Sequence, residues 1–323
     1  MTANQILGNA NYPAISYSGF RGVNREVEPT IAQIKEDLGL IAGQGYKVIR
    51  TYDLQHDFAG NVLQAISELK AADSSFEMYV FLGAWIECEG AWTRDANRNA
   101  GKILENGVEI DKAARLAIQY PDIVKVISVG NEAMVYWNYW YSVDPAIILK
   151  WVNNLQLLKT QGHISTDVLI TCNDNYAAWG GDSKYHTSTL SDLVNAVDFI
   201  SVHTYPFYET DTLEQGVPLV TAASASAITQ YESVKSYVES LGSTTPVHIG
   251  ETGWATESSD GYAEIANVAN QTAYYNAFHS WSANNNVTCF IFSAFDEQWK
   301  DDNDATHSEC NFGIFNLDRT LKN

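Results

Sequence analysis

Residues 123–132, Ile-Val-Lys-Val-Ile-Ser-Val-Gly-Asn-Glu, decide the reading of the fold. The first seven form a nearly continuous apolar run rich in Val and Ile. A strand with one wet face alternates apolar and polar residues. A run without that alternation reads as a strand covered on both faces, as in a parallel sheet. The run stops at Gly130, and the next two side chains, Asn131 and Glu132, are an amide and a carboxylate. A covered strand that delivers polar groups at its carboxyl end is the repeating unit of the α/β barrel, whose chemistry sits at those ends.

Seven further runs of this kind occupy residues 14–23, 46–52, 76–85, 167–172, 197–202, 246–249 and 287–295. Amphipathic stripes lie between them. Ile31, Ile34, Leu38 and Ile41 make the first, with Pro29 expected at the first helical position. Val62, Leu63, Ile66 and Leu69 make the second, and Val108, Leu116 and Ala117 the third. Asp144 is placed to cap the next helix and Pro145 to open it, with Ile148, Trp151, Val152, Leu155 and Leu158 facing inward. Residues 190–194, 228–238 and 265–281 supply the rest. Repeated alternation of strand and helix implies right-handed parallel βα units, and eight strands closing on themselves give a (β/α)8 TIM barrel. No amphipathic stripe follows residue 295, so the eighth helix is expected to be missing or replaced by a loop. No linker, repeat or low-complexity segment divides residues 1–323, which read as a single domain.

Composition narrows the function classes. The 323 residues suit one α/β barrel, and a hydrophobic fraction of 46% supplies its core. A formal net charge of −20 repels nucleic acid and anionic lipid, so neither is expected as a partner, whereas a neutral substrate is unaffected. Cys88, Cys172, Cys289 and Cys310 form no CxxC pair, which argues against zinc; a Cys289–Cys310 disulfide and buried free thiols both stay open. His203 and His248 belong to no HExxH motif or close His pair, and Asp301-Asp302-Asn303-Asp304 lacks the remainder of an EF-hand loop. GxGxxG, P-loop and GxSxG motifs are absent, so no metal or cofactor is expected. No basic and apolar leader follows Met1, and no run is long enough to span a membrane. The chain reads either as cytoplasmic or as the mature form of an exported protein, and the expected placement is secreted, periplasmic or cell-surface.

Polar and aromatic residues collect behind the runs. The second ends in Arg50-Thr51-Tyr52-Asp53, the third in Trp85 and Glu87, and the fifth in Asn173-Asp174-Asn175. The sixth ends in His203, Tyr205 and Phe207, the seventh in Gly250-Glu251-Thr252-Gly253-Trp254, and the eighth in Asp296-Glu297 and Trp299-Lys300. Seven of the nine tryptophans (85, 92, 137, 140, 179, 254 and 299) fall in loops after strands, and residues 136–141, Tyr-Trp-Asn-Tyr-Trp-Tyr, are the densest cluster. Exposed tryptophan calls for something to stack on it, and sugar rings have apolar faces. Loops packing on their own aromatics explain some of the seven less remarkably but not readily all of them.

Two carboxyl groups flanking an anomeric carbon are what glycoside hydrolysis needs, one to protonate the leaving oxygen and one to attack or activate water. Glu132 and Glu251, at the ends of the fourth and seventh runs, would face each other across a barrel mouth, with Asn131 in reach of a sugar 2-hydroxyl. Periodicity alone does not choose them over Asp53, Asp174 or Glu297.

The choice comes from a resemblance. Val129-Gly130-Asn131-Glu132 and Gly250-Glu251-Thr252-Gly253-Trp254 resemble the two signature segments of glycoside hydrolase family 17, a family of β-1,3- and β-1,3-1,4-glucanases and β-1,3-glucan transferases. Ile49-Arg50-Thr51-Tyr52-Asp53, Tyr205-Pro206-Phe207, the segment from Phe295 to Lys300, and Phe312-Gly313-Ile314-Phe315 resemble further segments of it, in order along nearly the whole chain. The resemblance implies Glu132 as acid/base and Glu251 as nucleophile of a retaining, endo-acting β-1,3-glucanase on laminarin-type glucan, without cofactor and as a monomer. It places Tyr52 near the nucleophile, Glu297 and Lys300 as a charged pair by the acid, and Tyr205 along the sugar site. Arg50, Asp53, Trp85, Trp137, Trp140, Asn173, Phe207, Trp254 and Trp299 complete the expected substrate-binding set. Glu132 must carry a proton to act, which burial and Glu251 are expected to favour; Glu251 must stay ionised, helped by a tyrosine such as Tyr52. Retention implies carboxyl groups about 5–5.5 Å apart. The alternative is a transglycosylase using the same site, with the aromatic loop after Glu132 supplying acceptor subsites; a glucan-binding barrel without catalysis is the third reading.

Overall fold

The computed structural model describes residues 1–214, 216–301 and 303–322. Eight parallel strands close into a barrel in chain order: β1 (Ala14–Ser16), β2 (Val48–Arg50), β3 (Tyr79–Ala84), β4 (Val124–Asn131), β5 (Leu169–Asn175), β6 (Ile200–His203), β7 (Val247–Gly253) and β8 (Cys289–Phe292). β1 pairs with both β2 and β8, which closes the ring. Alternate side chains divide between two cores, as the two-residue period of a strand requires. Ala14, Val48, Tyr79, Phe81, Val126, Leu169 and Phe290 meet one another within the barrel, joined by Ala3 and Ile6 of the short helix Ala3–Ile6. Ile15, Ile49, Val80, Leu82, Ile127, Ile170 and Ile291 point the other way, into the layer shared with the helices.

Among the described residues seven α-helices surround the strands: α1 (Ile31–Gly43), α2 (Phe58–Ala72), α3 (Ile103–Gln119), α4 (Pro145–Thr160), α5 (Ser188–Ala196), α6 (Leu219–Ser240) and α7 (Val268–Asn285). Asp144 caps α4 as expected, its carboxylate accepting the Ala146 N–H at 2.9 Å. Two expectations are corrected. Thr30, not Pro29, sets the start of α1: its hydroxyl accepts the Gln33 N–H at 3.3 Å while Gln33 reaches back to the Thr30 N–H at 2.9 Å, a reciprocal cap. Of the third stripe Ala117 is buried and Leu116 partly so, but Val108 is 51% exposed, because Ile110 and Ala113 are the residues of α3 that join Ala117 on the face toward the barrel.

Among the described residues no α-helix follows Asn285, in line with the missing eighth stripe. The tail fills that place. Phe315 bridges Phe295 and Leu321, and Arg319 pairs with the fully buried Asp37 of α1 at 3.0 Å. The four cysteines are free thiols. Asp301 and Asp304 spend oxygens on nearby backbone N–H groups, while Asp302 lies outside the described residues. No helix among the described residues is long and apolar enough to cross a membrane.

Candidate active site

β4, β5 and β7 run two to four residues further than their apolar runs, so Asn131, Asn173 and Glu251 stand on strand rather than loop. Groups held on strands are placed more rigidly than groups on loops. Glu132 follows directly, and it is turned by backbone geometry: φ is +84° at Gly130 and +45° at Glu132. A left-handed conformation costs a non-glycine residue on the order of 1 kcal/mol or more and persists only where its surroundings enforce it. Here the Glu132 N–H donates to the Asn173 carbonyl at 2.9 Å. One residue further, the fully buried Asp174 accepts the Met134 N–H at 2.7 Å and the Asn175 N–H at 2.8 Å. Burial, then the nearby charge of Glu132, pushes the Asp174 carboxyl well above its ordinary range. On β7 the residue before Glu251 is glycine because a Cβ at Gly250 would collide with Ser201 and Asn173.

His203, at the end of β6, stands between the two glutamates. Its Nδ1 lies 3.0 Å from Glu132 Oε1, and its Nε2 lies 3.6 Å from Glu251 Oε1. Arg50 Nη1 approaches Nε2 at 3.1 Å, and a guanidinium only donates, so in the neutral ring Nε2 accepts and the proton sits on Nδ1, facing Glu132. Arg50 is buried behind this pair. It donates to Glu251 Oε1 at 2.8 Å, to the Gly250 carbonyl at 2.8 Å and to Asn131 Oδ1 at 2.5 Å, so one fork fixes the nucleophile candidate and the neighbour of the acid candidate together. Tyr205 donates its hydroxyl to Glu251 Oε2 at 2.6 Å. Burial pushes the Glu251 carboxyl up, but His203, Arg50, Tyr205 and Lys300 outweigh it, and the net shift is downward. Burial, and then the Glu251 charge, holds the Tyr205 phenol far above its ordinary value, so it stays a donor.

Both glutamates line one cleft of about 660 Å³. Of the expected residues, Tyr52, Asp53, Trp85, Asn131, Trp137, Tyr205, Glu297, Trp299 and Lys300 share that lining. Others lie elsewhere. Phe207 and Trp254 are fully buried and pack on each other at 5.3 Å, so they support the wall and touch no ligand. Asn173 is buried against Ser128 and Ser201. Trp140 lies outside the cleft lining and packs on Tyr139 at 4.8 Å.

Three assigned roles also change. Tyr205 rather than Tyr52 is the phenol bonded to Glu251; Tyr52 lies close enough to feel the Glu251 charge, but its ring faces the Arg50 guanidinium at 4.6 Å. Lys300 pairs with Glu297 at 3.3 Å and feels chiefly the charges of Glu297 and Glu309; of the two catalytic candidates, Glu251 is the one that acts on it. Burial falls on Glu251, whose side chain is 8% exposed, while that of Glu132 is 29% exposed. His203 as bridge, Asp174 as support and Trp92 as cleft wall were missed. His203 had one available signal: it stands two residues before Tyr205 and so shares its face of the strand end.

Residues 14–313 match the model of a family described as the BtgE/BtgC glycoside hydrolase domain. The crystal structure of an endo-laminarinase from Formosa Hel1_33_131 superimposes with a TM-score of 0.95 and 43% identity, over 98% of this chain and 86% of that one. A glucan 1,3-beta-glucosidase of Arthroderma benhamiae is 24% identical over 306 residues, covering 90% of this chain and 83% of that protein. A glycoside hydrolase family 17 beta-1,3-glucanosyltransferase from Rhizomucor miehei, with 20% identity and a TM-score of 0.68 over 97% of this chain and 96% of that one, shares the fold.

Proposed function

The chain belongs to the BtgE/BtgC glycoside hydrolase family, and from that premise we propose that it is a retaining, endo-acting β-1,3-glucanase of the family 17 type, with Glu251 as nucleophile and Glu132 as acid/base. The observation that carries the reading is the pair of carboxylates on either side of His203 in one aromatic cleft, with only one of them buried and saturated with donors.

The ionised Glu251 attacks the anomeric carbon from below the ring while Glu132 gives its proton to the glycosidic oxygen. The bond to the leaving sugar breaks, and a glycosyl ester on Glu251 remains. Glu132, now a carboxylate, takes a proton from water as that water attacks the same carbon, and the Glu251 carboxylate is released. Arg50 and Tyr205 suit the first step because both hold the nucleophile charged. His203 Nδ1–H, directed at Glu132, suits the second, when the acid carries charge. Endo action is supported by aromatic side chains in two separate clusters of the cleft lining, Trp299 beside Arg25 and Trp85 and Trp92 against Tyr141, which can seat glucosyl units beyond the one being cleaved.

Incubation with laminarihexaose, with products followed by mass spectrometry and the first-formed anomer by NMR, tests the reading. Shorter products released as β-anomers are expected. α-Anomers would refute retention, and products longer than the hexaose would identify a transglycosylase. Binding without any product would leave only a glucan-binding barrel.

A further inference from the structure

Trp92 stands at the turn of a small hairpin, Cys88–Glu89 paired antiparallel with Asn97–Gly101, that follows β3. Its backbone is left-handed, with φ +66°, and its side chain lies in a residue that is 59% exposed. Neither feature serves packing. A large side chain in that conformation is strained, and an exposed indole gains little from burial. The surroundings nonetheless hold the ring firmly. Its Nε1–H donates to Glu87 Oε2 at 2.9 Å, and Glu87 is itself buried and paired with Lys102 at 2.5 Å. Its backbone N–H donates to the Trp140 carbonyl at 2.8 Å, and Cys88 N–H to the Tyr141 carbonyl at 3.1 Å, so the hairpin is pinned to the loop that leaves Glu132. The Trp92 ring also lies 4.9 Å from that of Tyr141.

These contacts place the ring relative to the chemistry. Trp92 lines the same cleft as both glutamates, as does Trp137, which is 54% exposed. Trp137, Trp140 and Tyr141 all belong to the loop that follows Glu132, and the backbone and ring contacts of Trp92 with that loop tie it to the Glu132 end. The Glu251 end is occupied by Tyr205, Phe292 and Lys300. In double displacement the sugar under attack lies over the nucleophile, and the sugar that departs hangs from the oxygen beside the acid. We infer that Trp92 and Trp137 form a leaving-group subsite, a rigid aromatic seat for a β-linked glucosyl residue on the reducing-end side of the cleaved bond. The inference rests on the catalytic reading above and adds to it a place and a direction.

Trp92→Gly separates binding from folding, because glycine accepts φ +66° without strain while removing the ring. Two substrates distinguish the two sides of the cleft: laminarihexaose, which fills both, and β-laminaribiosyl fluoride, whose leaving group is a halide and needs no sugar seat. The variant is expected to keep or raise the wild-type melting temperature and to lose about tenfold or more in kcat/KM on the hexaose, chiefly through KM. On the fluoride it should stay within about twofold of wild type. Trp92→Phe, which keeps an aromatic face, should retain part of the hexaose activity. Equal losses on both substrates would reduce Trp92 to a structural residue, and no loss on either would show that it holds no sugar. A loss that grows from laminaribiosyl to laminaritriosyl fluoride would move the seat to the donor side; all three outcomes overturn the inference. A wild-type protein inert on hexaose and fluoride alike would instead refute the catalytic reading beneath it.

Discussion

Glu251 and Glu132 share His203 as a neighbour, yet the two sides of the cleft are built differently. Around Glu251 the wall is buried and dense with donors: Arg50 and Tyr205 each bond one carboxylate oxygen, and Lys300 adds positive charge from the end of the barrel. Around Glu132 the wall is half-open and aromatic, with a left-handed backbone at Glu132 and again at Trp92. On the proposed reading, one side keeps a charge and the other passes a proton and holds what departs. A nucleophile must be ionised in the resting enzyme, so fixed donors help it. An acid so surrounded would have its charged form stabilised and would give up its proton to solvent before the substrate arrived.

Glu251→Gln tests the charged side most severely. The amide keeps the shape and removes the attacking charge, so turnover on laminarin should fall on the order of 10⁴-fold or more, with laminari-oligosaccharide binding retained by calorimetry. Retained turnover would remove the nucleophile assignment. The other side should respond selectively. Glu132→Gln should cost about 10³-fold on laminarin but far less on β-laminaribiosyl fluoride, which departs without a proton. Equal losses on both would show that Glu132 does not act as an acid.

Tyr205→Phe should have a smaller and pH-dependent effect. The acid limb of the kcat/KM profile reports the proton that blocks Glu251. The Tyr205 hydroxyl helps to hold that carboxyl below its ordinary range. Its removal raises the carboxyl, so activity should be lost at higher pH as the solution is acidified. A hydrogen bond to a charged group is worth about 1.5 kcal/mol or more, which moves the limb upward by about one unit. An unmoved acid limb in kcat/KM against pH would show that the bond does not tune the nucleophile.

The sequence made the dense side easier to read than the open one, for a physical reason. Runs such as 123–129 are legible because a strand covered on both faces has no freedom to be polar, and the barrel followed from eight of them. Glu132 and Glu251 were visible as the polar ends of two such runs. Helix faces were less secure: Val108 fits a stripe with Leu116 and Ala117, yet only Ala117 of the three is fully buried, and Ile110, Ala113 and Ala114 complete the packed face. Aromatic residues were the least legible. Trp254 and Phe207 occur beside catalytic motifs exactly as sugar-stacking residues would, but only three-dimensional packing shows that each fills the other's surroundings. Trp92 has the opposite history. The role inferred for it depends on a backbone angle and on a contact with a loop 48 residues away (140 minus 92), and neither leaves a mark in the local sequence.

Lys300 gives the smallest expected effect and the finest test of the division between the two sides. The family resemblance implies that it serves the acid together with Glu297. In the structure its ammonium lies 3.3 Å from Glu297, 3.2 Å from Glu309 and 4.0 Å from the centre of the Phe292 ring, and Glu251 is the catalytic candidate that feels its charge. Lys300→Met keeps most of the side-chain volume and removes the cation. Burial already pushes Glu297 upward, so without Lys300 it can take a proton rather than remain an unpaired buried charge. Because Lys300 makes no direct bond to Glu251, the expected change is a rise of the acid limb by a few tenths of a unit, about a third of that from Tyr205→Phe. The basic limb, which follows the proton on Glu132, should stay in place. If the basic limb moves and the acid limb does not, Lys300 belongs to the acid after all, and the contrast between the two walls fails at the residue where sequence resemblance and geometry disagree.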